Sequence, residues 1–127
     1  MQTPTNLLYS PQHLWMKALE NNLWEAGITD YAQDLLGDIV FVDAPVIGAV
    51  LYAGKACGLV ESVKTGSDLH ALVDGVVTEV NQEAINSPEL INDKPYQTWI
   101  FRFKSAKPDV AEELLSASDY QGLINAL

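Results

Sequence analysis

Cysteine occurs once in this chain, at Cys57, so no internal disulfide can form. Histidine occurs twice, at His13 and His70, and with one cysteine these make no metal-ligand spacing. Cations are scarce. Lysine and arginine total 7 against 17 acids, a formal net charge of −10. So acidic a surface repels phosphate backbones, which argues against nucleic-acid binding, and it favours partners with basic docking patches. No apolar run is long enough to span a bilayer. The segment Met1-Gln2-Thr3-Pro4-Thr5-Asn6 lacks the basic and apolar regions of a signal peptide. Together these favour the cytosol and no membrane association. Phosphate-loop and dinucleotide glycine patterns are missing, and the acids are scattered without a catalytic pair. A conventional enzyme site is therefore not expected, and Cys57 reads as a small buried apolar residue.

What is present is a core. Hydrophobic residues make up 48% of the 127 residues, which fits a single domain over 1–127. Residues 7–17 read as a first strand bent at Pro11, with 23–28 as its hairpin partner across Asn21-Asn22. Thr29 reads as the N-cap of a helix over 30–36 that stops at Gly37. Further strands are expected at 38–43, 49–52, 56–63, 67–73, 76–81 and 99–103, with Asp74-Gly75 as a hairpin turn. Ser87-Pro88-Glu89 reads as a helix start. The tail from Pro108 reads as two helical pieces, the second capped by Ser118. The fold class is mainly β, a small sandwich or barrel with short peripheral helices.

In a chain this poor in cations, Lys64 stands at the tip of a hairpin. Val63-Lys64-Thr65-Gly66 suits a β-turn with Gly66 in fourth position, and Val60, Val63, Leu69 and Leu72 can anchor its arms. A turn lysine is by default a solvated charge. Held on a rigid tip, it is also a suitable amine for covalent modification.

The flanking residues favour modification. Glu61-Ser62-Val63-Lys64 followed by Ser67-Asp68-Leu69 resembles the lipoylation hairpin of the glycine cleavage system H protein family. The stretches 27–33, 36–42, 87–92, Pro95-Tyr96 and 99–101 also resemble that family, so the likeness covers about residues 7–124. It implies a flattened β-barrel of two packed sheets with a C-terminal helix. It also implies lipoic acid in amide linkage to Lys64, with Glu61, Ser67 and Asp68 in recognition or orientation of the arm. The thiol chemistry then resides in the cofactor. Biotin is a poorer fit, because biotin-accepting lysines usually sit between methionines, whereas Lys64 sits between Val63 and Thr65.

Departures from the family pattern bear on the cargo. Leu14 stands where the family's His-Glu-Trp has its glutamate, near the cleft that shelters the loaded arm. Thr65 and Gly66 replace two small residues, His70 and Leu72 replace a tyrosine and a proline, Gln97-Thr98 shortens a glycine-rich step, and 22–26 differs before Gly27. Taken as clustered around the arm's resting surface, they tilt the expectation toward an H-like lipoate-binding protein of bacterial sulfur oxidation. Such a carrier works with a heterodisulfide-reductase-like complex. The alternative is the glycine cleavage H protein itself, serving glycine decarboxylase, aminomethyltransferase and dihydrolipoyl dehydrogenase. In either case a lipoate ligase or lipoyl transferase attaches the arm. A third reading is an unmodified interaction domain.

Overall fold

The structure is a computed structural model that describes residues 2–127. The first expected strand is in fact two. Leu8–Tyr9 (β1) and Leu14–Ala18 (β2) pair antiparallel, Leu8 opposite Met16 and Tyr9 opposite Trp15. Pro11 lies in the reversal between them and does not bend a continuous strand. The reversal is held by Ser10: its carbonyl accepts from His13 N–H, and its Oγ from Leu14 N–H. Asn21 and Asn22 do turn the next hairpin, at φ 57° and 61°, a left-handed conformation that asparagine tolerates. They lead into Leu23–Ile28 (β3).

Helix α1 runs from Asp30 to Leu36. Thr29 Oγ1 caps it by accepting from Ala32 N–H at 3.2 Å, and Gly37 ends it at φ 82°. Then follow Ile39–Asp43 (β4), Val50–Leu51 (β5), Ala56–Ser62 (β6), Gly66–His70 (β7) and Gly75–Val80 (β8). Two short helices, Gln82–Asn86 (α2) and Glu89–Asp93 (α3), precede Phe101–Ser105 (β9). A 3-10 turn at Val110–Glu113 and Ala117–Asn125 (α4) complete the fold.

All pairings are antiparallel. They build a six-stranded sheet in the order β1-β2-β3-β9-β8-β5 and a three-stranded sheet β4-β6-β7. The mainly-β class holds, as two sheets and no closed barrel. One core joins their inner faces: Val42, Val60 and Leu69 from the small sheet, with Leu14, Ile28, Val77 and Phe103 from the large one. Strand β2 is buried on both faces. Leu14 and Met16 enter this core, and Trp15 enters a second one with Tyr9, Tyr120 and Ile124 beneath α4.

Four local expectations are corrected. Asp74-Gly75 is not a hairpin turn, because β7 and β8 lie in different sheets. Glycine is needed at 75 for close approach, since a Cβ there would collide with the Lys104 carbonyl oxygen. Asp74 Oδ1 accepts from Ala53 N–H instead. Ser87 contributes its carbonyl, not its side chain, to the start of α3. Ser116, not Ser118, caps α4, accepting from Asp119 N–H at 3.1 Å. The last strand begins at Phe101, the Trp99 carbonyl being taken by the Asn81 side chain.

Candidate functional site

The β6–β7 reversal is built by one hydroxyl. Ser62 Oγ accepts from the N–H groups of Lys64 and Thr65, each at 3.1 Å, and Ser62 N–H donates to the Thr65 carbonyl at 2.7 Å. The turn is therefore Ser62–Thr65, one residue earlier than the sequence suggests. Serine competes well for turn N–H groups, and its capture of two of them sets the register. Gly66 is a strand residue paired with Glu61. Val63 N–H donates to the Asp38 carbonyl at 3.0 Å, which ties the tip to the α1–β4 junction.

Lys64 is exposed, and its stem lies across Gly37: a Cβ on Gly37 would sit 2.7 Å from Lys64 Cε and 3.4 Å from Nζ. Helix α1 has no basic residue in its last turn, so Lys64 places a cation near the helix end where carbonyl dipoles favour one. Gly37 has φ 82° and ψ −157°, a region open essentially to glycine alone. Gly37→Ala should therefore cost about 1–3 kcal/mol and push the Lys64 stem off its seat. A thermal melt checks this, and an unchanged Tm would contradict the seat.

Beside the tip, α1, the β1–β2 reversal and β7 enclose a cleft of about 120 Å³. That is several times the ~10–15 Å³ one water needs, and the wall is mostly apolar. Leu14, Ile28, Leu35, Leu36, Val60 and Leu69 supply the apolar surface, and Gln12, His13, Ser67 and Asp68 the polar edge. The structure thus brings Ser67, Asp68 and Leu14 together in one cleft, and its wall residue Leu36 directly precedes the Gly37 on which the Lys64 stem lies. It does not bring Glu61, whose Cγ packs over Gly66 on the exposed side of β6. Sequence reasoning missed His13 as a wall residue. Its one signal was adjacency to Leu14 in the His13-Leu14-Trp15 stretch.

Burial shifts three titrating groups, two at the cleft wall and one remote from it. Burial lowers the pKa of His13, whose Nδ1 lies 2.9 Å from the Tyr120 hydroxyl, and that hydroxyl is itself pushed up to about 12, mainly by burial. At Cys57, near the opposite end of β6 from Lys64, burial pushes the thiol up to about 11. It is protonated and a poor nucleophile at neutral pH. No cluster of potential metal ligands exists among the described residues.

Comparison with known proteins agrees with this geometry. The sequence profile described as Glycine cleavage H-protein matches residues 7–126. The chain belongs to the glycine cleavage H-protein family. It is 56% identical over 124 residues to the Glycine cleavage system H protein of Methylobacillus flagellatus, covering 98% of this chain and 99% of that one. It is 45% identical to Glycine cleavage system H protein 2 of Pseudomonas putida, covering 95% of each. The crystal structure of a glycine cleavage system H protein from Mycobacterium marinum superposes with a TM-score of 0.87 at 38% identity, covering 98% of this chain and 99% of that one. H proteins are carriers without catalytic activity of their own and bear lipoic acid covalently on a lysine.

The tilt toward a sulfur cargo finds no support, and the fold shows why its premise fails. The departures from the H-protein pattern do not cluster. Leu14, Thr65 and Gly66 are near the tip and cleft. His70 pairs with Ala56 at the far end of β7, and Asn22 bonds Ser105 at the far end of β3. Thr98 is buried and donates to the Leu90 carbonyl.

Proposed function

We propose that this chain is one lipoate-bearing carrier domain, residues 1–127, acting in the cytosol. Its lipoyl-Lys64 arm shuttles the aminomethyl group of glycine between glycine decarboxylase, aminomethyltransferase and dihydrolipoyl dehydrogenase. A lipoate ligase or lipoyl transferase attaches the arm. The single observation that carries the reading is Lys64 itself: an accessible amine on a turn fixed by Ser62, beside an apolar cleft, in a chain of H-protein sequence throughout.

The residues present fit the lipoyl group. The apolar wall suits its hydrocarbon chain, and Leu14 would offer that chain an apolar surface where the family pattern has a carboxylate. Asp68 lines the same cleft, so a carboxylate remains on its edge for an amine cargo. Ser67 shares that edge, and Glu61, on the outer side of the hairpin, is placed for recognition by the attaching enzyme. When bound, the dithiolane supplies a disulfide that accepts the aminomethyl carbon as it is reduced. The tether raises its effective concentration at each enzyme.

The test combines lipoylated protein, glycine decarboxylase and glycine. Release of CO2 should depend saturably on the carrier. Because Asp68 already offers a carboxylate, the lifetime of the loaded form should lie within about tenfold of that of Leu14→Glu, short of the roughly tenfold to hundredfold that a first charge-assisted hydrogen bond of about 1.5–3 kcal/mol would add. Absence of glycine-dependent CO2 release from verified lipoylated protein would overturn the reading.

A further inference from the structure

Thr29, Tyr120 and His13 form a hydrogen-bonded chain whose direction can be worked out. Thr29 is fully buried. Its Oγ1 accepts from Ala32 N–H at 3.2 Å and lies 2.8 Å from the Tyr120 hydroxyl. Among the described residues, that hydroxyl is the one acceptor within reach of the Thr29 proton. Thr29 therefore donates to Tyr120, and Tyr120 donates its proton to His13 Nδ1 at 2.9 Å. The reverse direction would strand a buried hydroxyl proton, which is costly. A ring nitrogen that accepts carries no proton, so His13 is neutral with its proton on Nε2. The lowered pKa of the ring agrees.

His13 lines the cleft, and its Nε2 has no protein partner among the described residues. The ring is held firmly. Its backbone sits at φ 69°, Thr29 N–H donates to its carbonyl at 3.1 Å, and Tyr31 packs on it with ring centroids 5.0 Å apart. The other polar groups of the wall are Gln12, Ser67 and Asp68.

We propose that His13 is a positioning residue for the arm: its Nε2–H, on a ring held in one tautomer, is a fixed donor that the cleft offers to an uncharged acceptor on the acyl chain, either the amide carbonyl oxygen or a sulfur. Tyr120 acts through His13, so α4 governs the cleft wall without touching its contents. The inference rests on the reading that Lys64 carries the arm.

The test is nitrogen-15 NMR of the full-length, histidine-labelled protein in three forms: unmodified, octanoylated and lipoylated, with the modified residue mapped by mass spectrometry. The unmodified protein should show His13 protonated on Nε2 alone. Acylation at Lys64 should shift the Nε2 resonance. A shift with both acyl groups assigns the carbonyl, and a shift with the lipoyl group alone assigns the sulfur. Tyr120→Phe and Thr29→Val should each lose the single tautomer, and Thr29→Ser should retain it, which a purely structural role would not require. A proton on Nδ1 in the unmodified protein, or a His13 spectrum unmoved by verified acylation of Lys64, overturns the inference alone. Acylation found only at another lysine overturns the Lys64 reading and this inference with it.

Discussion

Lys64→Ala is expected to abolish lipoyl incorporation completely while the chain stays folded. The turn is held by Ser62, not by the lysine side chain, and Val63 N–H ties the tip to Asp38 whatever residue stands at 64. An exposed turn substitution of this kind usually changes stability by no more than about 0.5 kcal/mol. What is lost is the amine. The other lysines are differently placed: Lys55 lies in the turn before β6 and does not line the cleft, Lys17 and Lys104 lie on strands of the large sheet, Lys94 follows α3, and Lys107 follows β9. Intact mass after co-expression with a lipoate ligase, together with a melting curve, decides it. Incorporation persisting at Lys55 or elsewhere would refute the assignment.

Trp15→Ala should be the most destabilising single change near the site. Trp15 is fully buried. Its ring lies over Gly27, where a Cβ would approach to 2.7 Å, and its Nε1–H donates to the Pro95 carbonyl at 3.0 Å. Truncating a buried tryptophan costs about 3–5 kcal/mol. For a chain of this size that corresponds to a fall in Tm of roughly 10–20 °C, taking about 3–4 °C per kcal/mol. The effect should reach the site, because Trp15 packs in the core that seats Tyr120 and continues the strand that carries Leu14 into the cleft. A melting curve lowered by less than a few degrees would contradict this packing.

Much of the site was legible because its signals are local. Thr29 and Gly37 bracket α1 by capping and by backbone freedom, and an apolar strand on each side of a polar turn marks the β6–β7 hairpin. The turn's register was misread because a serine hydroxyl, not a glycine, organises it. Asp74-Gly75 was misread because glycine serves close strand approach as well as turns, and one sequence does not separate the two. Helix α2 was missed, since five residues capped by Asn81 leave too short a period to read. The cleft was illegible for another reason: its walls come from residues 12–14, 28–36 and 60–69, brought together only by the sheets. The apparent clustering of the family departures failed for the same reason, sequence distance being a poor guide to distance across a sandwich.

The most direct test of the carrier account is peptide mapping by mass spectrometry. Lipoylated protein is incubated with glycine decarboxylase and isotopically labelled glycine, with CO2 measured in parallel. The expected result is the labelled aminomethyl increment on the lipoyl group of the peptide containing Lys64, in step with CO2 release. A lipoylated Lys64 peptide that gains no label while glycine decarboxylase remains active with another H protein would contradict it.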